Sequence, residues 1–371
     1  MKNMFMILTS RGMMKFLVYA LALIFSTVAT AQQKPERIIV ITTDGYRWQE
    51  LFMGMDSSIA NQEKFNQKDS AALFKKYWNN DAGQRRKLIM PFFWNNLMAK
   101  GQVYGNREHG NYVNIANQYR FSYPGYNEIF TGYPDTAVNS NEYPPNPHIN
   151  VLEFLNQQKE YKNKVAAFTA WDAFNRILNE DRSGIPVTAA YDTLAGNLSD
   201  RQKLINTMLL NTYKPWHESE CLDVFTHYAA MEYLKTTKPK VLYISYGETD
   251  EWAHSGRYKD YLDAAHQLDT WLEELWNFIQ TDPLYKNKTA ILITTDHGRG
   301  RGDEWTKHGK DLEGAQEIWF AVVSPGLPAK GEVKAKMQVY QQQFAATVAN
   351  LVGKEFKADH PVAKGLMDVL K

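Results

Sequence analysis

Two stretches far apart in this chain carry one pattern, Ile38-Ile-Val-Ile-Thr-Thr-Asp44-Gly45 and Ala290-Ile-Leu-Ile-Thr-Thr-Asp296-His297-Gly298. An apolar, β-branched run with no polar alternation is what a strand covered on both faces requires, as in a parallel sheet. A third run, Val241-Leu-Tyr-Ile-Ser-Tyr246, leads into Gly247-Glu248-Thr249-Asp250-Glu251-Trp252-Ala253-His254. Each run ends in carboxylates, two of them also in histidines, and open α/β sheets bind their ligands at the carboxyl ends of strands. Asp250 and His254 stand four apart, so on a helical turn both project from one face. With His308 from the glycine-rich loop after Asp296 and His297, the set is a hard-oxygen and imidazole donor group suited to zinc-like divalent ions, and large enough for two.

The intervening segments alternate with these strands. Tyr258 to Gln280 carries Tyr261, Ala265, Leu268, Leu272, Leu275 and Ile279 at steps of three and four, an amphipathic helix. Leu88 to Lys100 (ended by Gly101), Val151 to Gln158, Trp171 to Leu178, Asp200 to Leu210 with Ser199 as N-cap, Glu218 to Lys235 and Val339 to Val352 are expected as helices. Lys164 to Thr169, Pro186 to Tyr191 and Glu317 to Val323 are expected as strands. Strands alternating with helices predict a mostly parallel sheet with helices on both faces. No linker, repeat or low-complexity segment divides the chain after residue 35, and Asp135 to His148, rich in Asn and Pro, is expected as a loop beside the site.

Met1 to Ala31 has the features of a leader: basic Lys2, Arg11 and Lys15, an apolar Phe16 to Val28, and Ala29-Thr30-Ala31 before Gln32. The apolar run is short for a membrane span of about 20 residues, so cleavage and export to the periplasm or beyond are expected, with 32–371 as a single catalytic domain and no membrane-spanning segment in the mature chain. Cys221 is the only cysteine among 371 residues, which excludes an internal disulfide and makes it a small buried hydrophobe. With 42 basic against 41 acidic side chains, nothing points to a nucleic-acid polymer.

A nucleophile is offered by Ser122-Tyr-Pro-Gly-Tyr-Asn-Glu-Ile-Phe-Thr-Gly132. Gly125 to Thr131 forms a short helix ended by Gly132, and a serine at its start lies where the positive end of the helix dipole favours an anion. Ser122 as a plain N-cap is the alternative.

In order, Asp44, Ser122-x-Pro124, Asp250-x3-His254, Asp296-His297-Gly298 and His308 resemble the alkaline phosphatase superfamily, nearest its nucleotide pyrophosphatase/phosphodiesterase-like branch, across essentially the whole mature chain. The resemblance implies a three-layer α/β/α sandwich holding two zinc ions, one on Asp250, His254 and His308, the other on Asp44, Asp296, His297 and the Ser122 oxygen. It implies hydrolysis of a small phosphate ester, monoester or diester, through a phosphoseryl intermediate. Such esters are so inert that enzymes accelerate their hydrolysis by up to ~10²¹-fold. An asparagine downstream of the nucleophile binds the phosphoryl oxygen in that branch, and Asn141 fits the offset slightly better than Asn139. Sulfatases carry Arg where this chain has Tyr126, and usually paired aspartates where Asp44 meets Gly45. The branch's Thr-x-Pro-Asn-His is replaced by Ser122-Tyr-Pro-Gly-Tyr126. A phosphoryl transferase of the same superfamily and a catalytically inactive metal-binding module are the alternatives. The former usually carries several membrane helices, and the latter tends to lose ligands that are all present here.

Overall fold

The computed structural model describes residues 34–371, which pack as one compact unit. The expected leader, Met1 to Ala31, and the cleavage point before Gln32 lie outside the described residues. The strands in chain order are β1 (Arg37–Thr43), β2 (Gln102–Tyr104), β3 (Asn111–Asn114), β4 (Val165–Thr169), β5 (Val187–Ala189), β6 (Val241–Tyr246), β7 (Thr289–Thr294), β8 (Glu317–Ile318), β9 (Phe320–Val323), β10 (Gly331–Glu332) and β11 (Met337–Tyr340). Eight form one sheet in the order β10-β2-β9-β7-β1-β6-β4-β5. Only the pairings made by β9, with β2 and β7, are antiparallel.

Every residue of β1, β6 and β7 is buried, as their uniform apolar sequences require. Alternate side chains point to opposite faces of a strand. Ile39, Ile41, Leu242, Ile244, Ile291 and Ile293 enter one core with Tyr261, Ala265, Leu268, Leu272, Leu275 and Ile279 of the helix Tyr258–Thr281. Ile38, Val40, Val241, Tyr243, Ala290 and Leu292 enter the other. There they meet Tyr126 and Ile129 of helix Ser122–Thr131, Leu152 and Leu155 of Val151–Gln157, and Phe344 and Val348 of Phe344–Leu351. The result is helices on both faces of a mostly parallel sheet. β6, β1 and β7 are adjacent and parallel, so the segments bearing Asp44, Asp250 and Asp296 leave the sheet side by side at one edge.

Several expected elements differ. Glu317 to Val323 is two strands: β8 pairs with β3 in a separate sheet of order β11-β3-β8, while β9 joins the main one. Trp319 lies at the switch, fully buried, its Nε1–H donating to the Tyr46 carbonyl at 2.9 Å. Val339 to Val352 opens as β11, passes through a 3-10 turn at Gln341–Gln343 and becomes helical at Phe344. Leu88 to Lys100 breaks after the helix Ala82–Ile89, because Pro91 has no N–H to continue it. The chain resumes with a π-helical turn at Phe93–Leu97, and the Asp269 carboxylate accepts the N–H of Phe92 and Phe93 at 2.7 Å each. Trp171 to Leu178 is helical only over Phe174–Ile177. Asp200–Leu210 has the expected Ser199 cap, completed by Gln202 as a capping box; the helix expected over Glu218 to Lys235 begins only at Asp223 and runs to Thr237, so Cys221 is buried just before it. Among the described residues no helix is long and apolar enough to cross a membrane.

Candidate metal centre and nucleophile

Asp44 follows β1 directly, and the backbone then turns through Gly45 at φ +58°. A Cβ at Gly45 would stand 2.5 Å from Asp250 Oδ1 and 2.7 Å from Arg299 Nη1, so only glycine lets the β1 segment lie against its neighbours here. The two carboxylates of this half are arranged alike. Asp44 Oδ2 accepts from the Tyr126 hydroxyl at 2.9 Å while its Oδ1 is buried with no partner. Asp296 Oδ1 accepts from Gly45 N–H at 3.1 Å while its Oδ2 is buried with no partner.

His297 fixes what those oxygens face. Its Nδ1 lies 2.9 Å from the Gly298 carbonyl, which can only accept, so the ring proton is on Nδ1 and Nε2 presents a lone pair. That Nε2 is 3.3 Å from Asp44 Oδ1, 3.4 Å from Asp296 Oδ2, 3.4 Å from Ser122 Oγ and 3.8 Å from Asp250 Oδ1. A lone pair surrounded by carboxylate oxygens repels them, and a cation among them turns repulsion into coordination. Burial, then Asp250, pushes the Asp44 carboxyl well above its usual range, and burial, then Asp44, does the same to Asp296.

β6 ends at Tyr246 and the chain enters helix Glu248–His254. Asp250 and His254 share a face, with His254 Nε2 3.0 Å from Asp250 Oδ2. His308 arrives from the loop after β7, its Nε2 2.9 Å from that of His254 and 3.9 Å from Asp250 Oδ1. Its Nδ1 is buried without a partner. Burial, then His297, holds the His308 ring well below its usual value, so the neutral ring presents one lone pair. Burial would raise Asp250, but the Arg299 guanidinium and then His254 outweigh it and hold this carboxyl well below the usual range.

The ligand atoms of Asp44, Asp296 and His297 lie within 4.8 Å of one another, and so do those of Asp250, His297 and His308. The structure therefore brings Asp44, Ser122, Asp250, His254, Asp296, His297 and His308 to one place. One refinement concerns grouping: His297 stands within reach of both halves, and His254 joins the second through Asp250 and His308. The donor set and its orphaned buried atoms fit divalent cations.

Ser122 is the first residue of its helix, not its cap; Phe121 occupies that position with an extended backbone and no side-chain cap bond is made. The plain N-cap alternative is thereby removed. Asn141 accepts the Tyr123 N–H through Oδ1 at 3.0 Å, which places it beside the first turn of the Ser122 helix, whereas Asn139 is exposed. The approach to Ser122 is pinned by residues with no sequence signature. Glu128 is fully buried and accepts the N–H of Asn117 (2.8 Å), Ala116 (2.8 Å) and Gln342 (2.8 Å). Asn117 Oδ1 in turn accepts the N–H of Tyr119 and Arg120.

Two arginines near the ligands in sequence face inward. Arg47 is buried against Glu50. Arg299, its side chain wholly buried, donates from Nε to Trp305 O (2.8 Å), from Nη2 to Thr306 O (2.7 Å) and from Nη1 to Asp250 Oδ1. Arg301 is half exposed and paired with Glu313 and Glu317.

A family model described as the metalloenzyme superfamily matches residues 59–353. No curated protein matches the chain in sequence. Among solved structures the chain is similar to the alkaline phosphatase PafA, with 11% identity, TM-score 0.60, and coverage of 92% of this chain and 100% of that one. It is also similar to the phosphonate monoester hydrolase of Agrobacterium radiobacter, with 13% identity, TM-score 0.56, and coverage of 91% and 77%. BT1596, a 2-O GAG sulfatase, matches at 12% identity and TM-score 0.53, with coverage of 90% and 74%. At these identities the structures speak for the fold alone, and they do not single out the phosphodiesterase branch. The chain belongs to the metalloenzyme superfamily and has the fold of the alkaline phosphatases.

Proposed function

We propose that this protein is an exported hydrolase of phosphoric esters, acting on a phosphomonoester or phosphodiester through a phosphoseryl intermediate. The observation that carries this is Ser122, at the first turn of a ten-residue helix with its Oγ 3.4 Å from His297 Nε2, at the edge of the ligand cluster. Asp44, Asp296, His297 and the Ser122 oxygen would hold one divalent ion and Asp250, His254 and His308 the other, with zinc favoured by the mixed imidazole and carboxylate donors. Bound there, the ions supply positive charge that favours an ionised serine and offsets charge developing on the phosphoryl and leaving oxygens.

Ser122 Oγ forms a bond to phosphorus as the ester oxygen departs with the bonding pair, and its proton is lost to solvent. Water then cleaves the phosphoserine, releasing phosphate, or a phosphomonoester from a diester, and restoring the hydroxyl. The start of the Ser122 helix turns its N–H groups towards the negative charge. Asn141, with Oδ1 engaged by Tyr123, keeps its amide N–H₂ as a donor for a phosphoryl oxygen. The likeness to a phosphatase and a phosphonate monoester hydrolase supports phosphorus esters. The sulfatase likeness is offset by Tyr126, which stands where sulfatases carry arginine and is hydrogen-bonded to Asp44.

The test is Ser122→Ala. It should keep its bound metal while turnover falls by about 10⁶, and acid quenching should trap phosphate on the Phe121-Ser122-Tyr123 peptide of wild type alone. Turnover within tenfold of wild type would show that Ser122 is not the nucleophile. Matched nitrophenyl mono- and diesters, assayed with zinc, with manganese and without added metal, separate the two substrate classes.

A further inference from the structure

The two halves of the centre are not built alike. In the first, Asp296 and His297 side chains are wholly buried and Asp44 is 10% exposed. Two carboxylates each keep one oxygen with no protein partner, so the half offers an incoming cation two carboxylates, neither paired with an arginine or lysine among the described residues.

In the second half there is one carboxylate, Asp250, and one of its oxygens is bonded to Arg299 Nη1. Arginine stays protonated at any accessible pH. This one cannot swing aside either: its side chain is wholly buried, and its other N–H groups are donated to the Trp305 and Thr306 carbonyls at 2.8 and 2.7 Å. The formal charge on this half is therefore cancelled by a fixed guanidinium that also repels an incoming cation. The His254 ring is 44% exposed, which leaves this half open to water and to exchange.

We propose that the centre retains one cation tightly on Asp44, Asp296 and His297 and holds a second, exchangeable one on Asp250, His254 and His308, with Arg299 setting the difference. This rests on the two-metal reading above. Ligand charge and site rigidity tune cation affinity over decades, and a gap of at least about 100-fold is expected for two units of charge and a closed against an open site.

The experiment uses the mature protein loaded with zinc. Dialysis against metal-free buffer should leave about one ion per chain, and calorimetric titration with zinc should restore a second at least about 100-fold more weakly. Asp250→Asn should still retain the tight ion, and Asp44→Asn should lose it. Arg299→Gln, checked for folding by circular dichroism, should narrow the gap, while Arg299→Lys should preserve it. Equal affinities, simultaneous loss of both ions, or retention by Asp44→Asn but not by Asp250→Asn would overturn the inference. An unchanged gap in folded Arg299→Gln would remove Arg299 as its cause. If wild type bound no zinc at all, the two-metal reading itself would fall, and this inference with it.

Discussion

Gly125 is the point where the helix of Ser122, the proposed nucleophile, rests on Asp296, and a single methyl group tests that contact. A Cβ added there would stand 2.6 Å from the Asp296 carbonyl oxygen, 3.1 Å from its carbonyl carbon and 3.3 Å from its Cβ. Comfortable carbon contacts begin near 3.5 Å, so the helix or the Asp296 backbone must retreat by about 0.9 Å, the difference from 2.6 Å. The Asp296 side is the less free to move, because its carbonyl accepts Gln341 Nε2 at 2.8 Å and its Oδ1 accepts Gly45 N–H at 3.1 Å. The displacement therefore falls largely on Ser122, three residues before Gly125 in the helix. Misplacing a reacting group by about 1 Å costs about 10² in rate. Stability should change far less: alanine gains up to about 1 kcal/mol of helix propensity over glycine, against about 1–3 kcal/mol for overpacking. Gly125→Ala should thus lose about 10² in kcat/KM on a nitrophenyl phosphate while melting within a few degrees of wild type. Activity within threefold of wild type at an unchanged melting temperature would refute the claim that this contact sets the position of Ser122.

Tyr126→Phe removes one hydroxyl while its ring stays packed on Phe174, 4.6 Å away. Losing such a ligand-orienting hydrogen bond should weaken metal binding by about 10–100-fold, measurable by chelator competition, and unchanged affinity would deny Tyr126 this role. Asn141→Ala should raise KM about tenfold or more, through loss of a donor to the phosphoryl group and of the Tyr123 cap; kinetics indistinguishable from wild type would exclude it from substrate binding. Burial raises the Asp269 carboxyl from 3.8 to about 7. It binds its proton more tightly when folded, so the stability this contributes is present below about pH 4 and is lost as pH rises to about 7. Melting temperature should fall with pH across that window, and less steeply in Asp269→Asn; an identical slope in the variant would assign the pH dependence to other groups.

The central sheet and the gathering of the acids and histidines at its edge were legible because both follow from local pattern. Unbroken β-branched runs demand two-sided burial, and each delivers its acid at the strand end whatever lies between. Glu317 to Val323 misled because an apolar run does not mark where a chain changes sheets; Trp319 turns it from β8 into β9 through a tertiary contact with Tyr46. Val339 to Val352 misled for a related reason. Gln341 is held in a 3-10 turn ahead of the α-helix by the Thr295 and Asp296 carbonyls, to which its Nε2 donates at 3.1 and 2.8 Å. The supports of the site were not legible at all. Nothing in the sequence distinguishes Glu128, which gathers backbone N–H groups from two distant segments, from a surface glutamate on an amphipathic turn. Arg299 stands two residues after His297 in a glycine-rich loop, and that nearness alone does not show a side chain buried against Asp250.

The position four residues after Ser122 shows how one such support bears on chemistry. A neutral phenol stands there, wholly buried, its proton committed to Asp44 Oδ2. Tyr126 thus cannot bring positive charge to the reacting group, and Arg299 has all three of its nitrogens engaged elsewhere. Around the cluster two buried acceptor atoms, Asp44 Oδ1 and Asp296 Oδ2, are left without donors. An assembly this rich in lone pairs would repel an anionic ester if the protein acted alone. On the proposed function it would become an anion-binding centre when divalent ions supply the missing charge, and its discrimination among esters would then fall to neutral donors such as Asn141 and the N–H groups of the Ser122 turn.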